Sequence, residues 1–222
     1  GVMPFAKACC NTADIQICVA PGLARKQEAL DAGLKWNYVL NSEEDCPAEW
    51  KDEIHVKYVP GIPSLEEVIL YHTSSQTLLV GDMAFHFQAN DPKANGTGIV
   101  PWYLKCCDGY RPCCLTRTFG WIITDFDACH KAMEEILEQF DFDCIVLSHG
   151  AAVWTDAKMK LREGTVSLLK EWRDGSKQGG GYASKTTTLL VTAVAVSVGL
   201  AIYSGLGSAL LQPRPGKSNS KQ

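Results

Sequence analysis

"HVKYVPGIPSLEEVILYHTSSQTLLVGDMAFHF", residues 55–87, decides the fold. "HVKYV" alternates in the manner of a strand and stops at Pro60-Gly61, a turn signal. "EEVILYHT" and "QTLLVGD" flank Ser74-Ser75, which predicts two strands joined by a hairpin. "TLLV" is apolar without alternation, as in a strand buried on both faces. Two positions in this stretch matter later: Ile62 in the first turn, and Asp82 directly after the last strand.

Reading outward, "IQICVA" (15–20) is a short apolar strand stopped by Pro21-Gly22, and "LARKQEALDAGL" has helical composition. Downstream, Phe126, Cys129, Met133, Ile136, Leu137 and Phe140 recur at helical spacing, with Thr124 or Asp125 available as the cap. "CIVLSHG" (144–150) predicts a second continuously apolar strand, expected beside "TLLV", and "DAKMKLREGTVSLLKEWRD" a second amphipathic helix. Hairpin and crossover connections are thus mixed, which points to an α/β or α+β layered domain.

The chain has 222 residues and a formal charge of −4, with a pI near 5.7. That balance argues against nucleic acid as a partner, which favours a basic face. Residues 1–173 read as the folded body, and "DGSKQGGGYASK" (174–185) as a flexible linker. "TTTLLVTAVAVSVGLAIYSGLGSALL" (186–211) then carries no charge over 26 positions, and a polar tail (212–222) follows. About 20 apolar residues suffice to cross a bilayer as a helix. The expectation is a single-pass membrane protein, with the lipid bilayer as the partner of that transmembrane helix.

Asp82 follows "TLLVG" and His149 follows "CIVLS", so both sit where strands open into loops. A carboxylate and an imidazole there offer oxygen and nitrogen ligands to a zinc-like ion near 2 Å. The blander reading stands beside it: an Asp after Gly is often a turn residue, and a histidine after a strand is often hydrogen-bonded structure. His86 lies four residues beyond Asp82, and a helical turn over 82–86 would put both on one face. His72, His130 and His55 read as structural, His55 as exposed. "KCCDGYRPCC" (105–114) lacks the spacing of a zinc ribbon or a redox motif, and reads as a surface loop of reduced thiols.

"HVKYVPGIPS", "TLLVGD" and "CIVLSHG", in this order, resemble the second half of a metallo-β-lactamase-fold domain. "VAPGLARK", "EEVILYHTSSQTLLVGDMAF" and "FDFDCIVLSHG" resemble a domain-of-unknown-function branch of that superfamily, over residues 15–172. The resemblance implies an αββα sandwich, incomplete at its N-terminal side. In such domains a "PGHT" turn, a "GD" and an "SHG" supply metal ligands. Asp82 and His149 match the last two, and Ile62 stands where the turn histidine is expected. The superfamily's "HxHxDH" signature is not in these residues, so the chain is expected to begin partway through the domain. Two functions follow as expectations. One is a membrane-anchored protein with a degenerate site, lacking a complete dinuclear centre and holding at most one zinc through Asp82, His149 and, as the remaining candidate, His86. The other is a metal-dependent hydrolase whose remaining ligands lie upstream.

Overall fold

The strands read from residues 55–87 form, and a fourth from further along the chain joins them. The computed structural model describes residues 16–31, 33, 35–88, 90, 99–107 and 109–177. The apolar run 186–211 and the tether from residue 178 onward lie outside the described residues. The chain divides into two units, 1–182 and 183–222, and every described residue belongs to the first. These residues form a mixed α/β fold, and no helix among them is long and apolar enough to cross a membrane.

In chain order the elements begin with β1 (Cys18–Val19), α1 (Pro21–Arg25), α2 (Gln27–Asp31) and β2 (Tyr38–Val39). β3 (Ile54–Val59), β4 (Glu67–His72) and β5 (Thr77–Val80) follow, then α3 (Ile99–Cys106) and α4 (Phe126–Gln139). β6 (Cys144–Leu147), α5 (Ala157–Leu161) and α6 (Ser167–Lys177) complete the described body. β1 and β2 pair in parallel as a small separate sheet. The main sheet has the order β3-β4-β5-β6, with antiparallel pairs except for β5 and β6, which run parallel in the register Leu78 to Ile145. "TLLV" and "CIVL" are therefore neighbours, as their composition requires.

Period-2 alternation divides this sheet into two faces. Ile69, Tyr71, Leu78, Val80, Ile145 and Leu147 share one face and are all buried. They join one core cluster with Met133, Ile136 and Leu137 of α4 and with Leu169 and Trp172 of α6. The opposite face differs from the expectation of two-sided burial. Leu70, Leu79 and Val146 form a cross-strand row there, and Leu79 is 37% exposed while Leu78 is fully buried. A continuous apolar run marks a strand but does not say how well each side is covered.

Helix α4 starts at Asp125, whose side chain accepts the Ala128 N–H at 2.9 Å. Thr124, the other candidate cap, instead donates its N–H and hydroxyl to the Gly61 carbonyl, at 2.8 and 3.1 Å. That docks the turn after β3 onto the start of α4. Gly61 has φ +91°, and a Cβ there would lie 2.3 Å from the Asp125 carbonyl oxygen, so only glycine fits.

The expected helix over 156–174 forms with an irregularity: a π turn, Arg162–Val166, separates α5 from α6. Its Thr165 is fully buried, with the hydroxyl 2.7 Å from the Cys113 carbonyl oxygen and 3.1 Å from that of Met83. Helix α6 also runs on through residues 174–177, which the glycine-rich composition had assigned to the linker. The first helix expected, "LARKQEALDAGL", is broken at Lys26 into two short pieces.

Burial on the helix-facing side predicts a sharp asymmetry between neighbours. Leu78→Asp should abolish cooperative unfolding of the body, since an unpaired buried charge costs several kcal/mol. Leu79→Asp should change stability by less than about 1 kcal/mol, as exposed substitutions do. Thermal melts of the two variants, followed by circular dichroism, compare them directly. Equal losses would mean that the outer face is covered in solution.

Candidate functional site

The pairing directions bring three strand ends together. β3 is antiparallel to β4, β4 to β5, and β5 is parallel to β6, so the chain leaves β3, β5 and β6 at one edge of the sheet. Ile62, Asp82 and His149 all follow strands at that edge, as their sequence positions imply.

Ile62 points inward. It is 1% exposed and belongs to the main core cluster, and its carbonyl accepts the Leu65 and Glu66 N–H groups at 2.9 Å each. Glu66 in turn binds Arg25 of α1 through both carboxylate oxygens at 2.6 Å. The turn is thus held by hydrocarbon below and an ion pair above.

Glu67, the first residue of β4, carries the next loop. Its carboxylate accepts the backbone N–H groups of Gly81, Asp82 and Met83 at 2.6, 2.5 and 2.9 Å. Burial pushes this carboxyl up to about 7, against the three N–H donors that pull it down and with the Asp82 charge adding to the rise. Sequence reasoning passed over Glu67. The signal was present: Glu67 stands in phase with Ile69 and Tyr71, so a carboxylate falls on the buried side of its strand.

Asp82 and His149 meet. Asp82 Oδ1 lies 2.7 Å from His149 Nε2, with the side chains 35% and 13% exposed. The His149 ring tilts against Phe85, centroids 5.3 Å apart. Its other nitrogen, Nδ1, is buried with no hydrogen-bond partner among the described residues. At this distance an N–H at Nε2 donates to the Asp82 carboxylate.

His86 does not join them. Residues 85 and 86 are extended, not a helical turn: Phe85 bridges to Cys114 and His86 to Gly150. The His86 N–H bonds to the His149 carbonyl at 3.2 Å, and the Ala151 N–H to the His86 carbonyl at 2.9 Å. Gly150, at φ +93°, lets this crossing happen, since a Cβ would sit 2.2 Å from the His86 oxygen. Burial, and then the Lys160 ammonium, push the His86 imidazole below its usual range.

The remaining histidines and the cysteines are structural in their contacts. His55 is half-buried and binds Glu43 at 2.8 Å. His72 contacts Ser75 at 2.6 Å and Glu53 at 3.2 Å. His130 is buried and takes a hydrogen bond from Arg173 at 3.0 Å. All described cysteines are free thiols; Cys106 is exposed and Cys107 half-buried, but Cys113 and Cys114 are buried, so "KCCDGYRPCC" is only partly a surface loop.

These residues do not fit a catalytic zinc centre, which takes three protein ligands and an open position. Among the described residues no three His, Cys, Asp or Glu side chains converge. Two donors converge, and they are bonded to each other. To ligate through Nε2, His149 must give up that bond and move its proton to Nδ1, where no acceptor waits in place of the usual outer partner.

Two tests follow from Glu67. Its carboxyl is raised from 4.5 to about 7, so between those values the folded state holds a proton that the unfolded state has lost. Stability should therefore fall as pH rises from about 4.5 to about 7 and level off above. Glu67→Gln should remove this slope and cost about 1–3 kcal/mol, because an amide N–H₂ would face backbone donors. Denaturant melts across that pH range, on both proteins, measure the two effects.

No protein-family model matches the chain, and no curated protein matches it. Solved structures do. A metallo-β-lactamase from Erythrobacter litoralis, with β-mercaptoethanol in its active site, aligns over 77% of this chain and 62% of its own, at 15% identity and a TM-score of 0.45. One from Pontibacter korlensis aligns over 76% and 75%, at 15% identity and a TM-score of 0.39. The DIM-1 metallo-β-lactamase exposed to ceftazidime aligns over 76% and 59%, at 14% identity and a TM-score of 0.37. This chain spans less than two thirds of the first of these.

Proposed function

We propose that this is a membrane-anchored protein whose metallo-β-lactamase-like αββα domain has a degenerate site, without a complete dinuclear metal centre. The observation that carries the reading is the direct 2.7 Å bond between Asp82 and His149. It leaves the pair as a hydrogen-bonded clasp between the ends of β5 and β6. Ile62, buried in the core, supports the same reading, since hydrocarbon occupies the turn where a nitrogen ligand is expected. Anchorage rests on the charge-free run 186–211 and its match to a bilayer's thickness.

A second reading is supported by the partial exposure of the Asp82 side chain at the mouth of the sheet. There the domain is a metal-dependent hydrolase, with Asp82 and His149 completing a ligand set supplied from upstream.

Metal content and melting decide between them. The protein purified from its full reading frame, so that any upstream ligands are included, should hold at most about one zinc, and a chelator should leave its melting temperature unchanged. Asp82→Asn should cost about 1 kcal/mol, the net worth of an ordinary hydrogen bond. Two zinc ions per chain, lost together with hydrolysis of a β-lactam or phosphoester in Asp82→Ala, would establish the hydrolase instead. Anchorage has its own readout: the full chain should resist carbonate extraction, and a chain stopped near Ser184 should be released. Release of both would remove the membrane from the proposal.

A further inference from the structure

Helix α3 shows an aromatic and cationic face that the site does not use. Trp102 is 62% exposed, the most exposed large apolar side chain among the described residues. Lys105 and Cys106, three and four positions on, are exposed too and share its face of the helix. Arg111, in the loop that follows, is also exposed.

The inner side of this helix is pinned. Leu104 is 1% exposed, and the Tyr103 hydroxyl is bonded to the hydroxyls of Thr116 and Thr118. The Gly109 N–H closes onto the Leu104 carbonyl at 2.8 Å, and the Arg117 N–H onto that of Cys107 at 3.2 Å. Trp102 is therefore held outward by a packed support and does not hang from a loose loop.

The charge of this segment opposes that of the chain. Residues 99–123 contain Lys105, Arg111 and Arg117 against the single acid Asp108, within a chain of net charge −4. An indole flanked by cations suits one surface above others: tryptophan concentrates at the membrane–water interface, and lysine and arginine are drawn to anionic headgroups.

We propose that the α3 face is the side on which the folded domain rests against an anionic lipid surface, with Trp102 entering the headgroup layer and Lys105 and Arg111 against the phosphates. This rests on the bilayer anchorage proposed above, which would hold the domain close enough for so small a contact to matter. A protein partner is the competing occupant. Among the described residues the patch is a single indole among cations, without the broad apolar core that protein interfaces share.

The test uses the full chain reconstituted into phosphatidylcholine vesicles, with and without phosphatidylserine, carrying a nitroxide quencher at headgroup depth. Subtracting the fluorescence of Trp102→Phe isolates Trp102 from the other five tryptophans. The expected result is quenching of that component in phosphatidylserine vesicles and its loss at high salt. Lys105→Glu should weaken the contact at least about fivefold, the worth of one basic residue near such a surface. Equal quenching in both vesicle types, or a Trp102→Phe protein quenched like the parent, would overturn the proposal and leave a protein as the occupant. Carbonate flotation of the same samples keeps the two readings apart. A chain that floats without quenching of Trp102 sinks only this inference. A chain that does not float sinks the anchorage, and salt-sensitive sedimentation with phosphatidylserine vesicles then decides the face by itself.

Discussion

A single buried carboxylate organises the sheet edge. Glu67 gathers three consecutive backbone N–H groups that would otherwise point into the protein without partners. Burial resists the charge and the donors favour it, and the outcome is a carboxyl held near neutrality. Everything at the candidate site hangs from this loop. It sets the backbone of Asp82, which sets the reach to His149, whose own carbonyl receives the His86 N–H. At the same edge the turn that carries Ile62 is anchored to the start of α4 through Gly61 and to α1 through Glu66.

The Asp82–His149 bond and a metal ion can hold the same two strand ends, but by different means. An ion needs both groups deprotonated toward it and an outer acceptor on the far side of the imidazole. The bond needs one proton between them and nothing behind. The described residues supply the second arrangement: Nε2 against Asp82 Oδ1, and a buried Nδ1 with no hydrogen-bond partner among them.

Much of this was legible in the residues. Asp82 and His149 could be brought together from sequence because each follows an apolar strand directly, and neighbouring parallel strands end side by side. The hairpin at Ser74-Ser75 and the Asp125 cap were equally plain, since turn and cap chemistry is local. What failed was non-local. His86 at four residues from Asp82 suggested a helical turn, but pairing with Gly150 and Cys114 pulled the segment extended. Leu79 looked as buried as Leu78, because composition does not reveal which face of a sheet the helices cover. Lys26 divides a segment with sound helical composition, and no property of the segment itself announces that break. Glu67 was missed for another reason: attention went to residues that could carry chemistry outward, and its carboxylate is turned inward.

The π turn at Arg162–Val166 has a consequence for how this chain tolerates change in length. Such a turn holds one residue more than an ordinary helical turn, and here the extra residue lets Thr165 face the Met83 and Cys113 carbonyls while Trp172 still reaches the core. Removing one residue from 162–166 would restore a regular helical turn and leave α6 in its present phase, because the π turn takes up its extra residue within itself. Leu169 and Trp172 would stay on the core, and the change would fall on Thr165 and its reach to the Met83 and Cys113 carbonyls. The same deletion from the regular part of α6 would instead turn the rest of that helix by about 100°. A homologue shortened by one residue at 162–166 can therefore keep both the docking and the apolar pattern of its last helix, at the cost of those two hydrogen bonds.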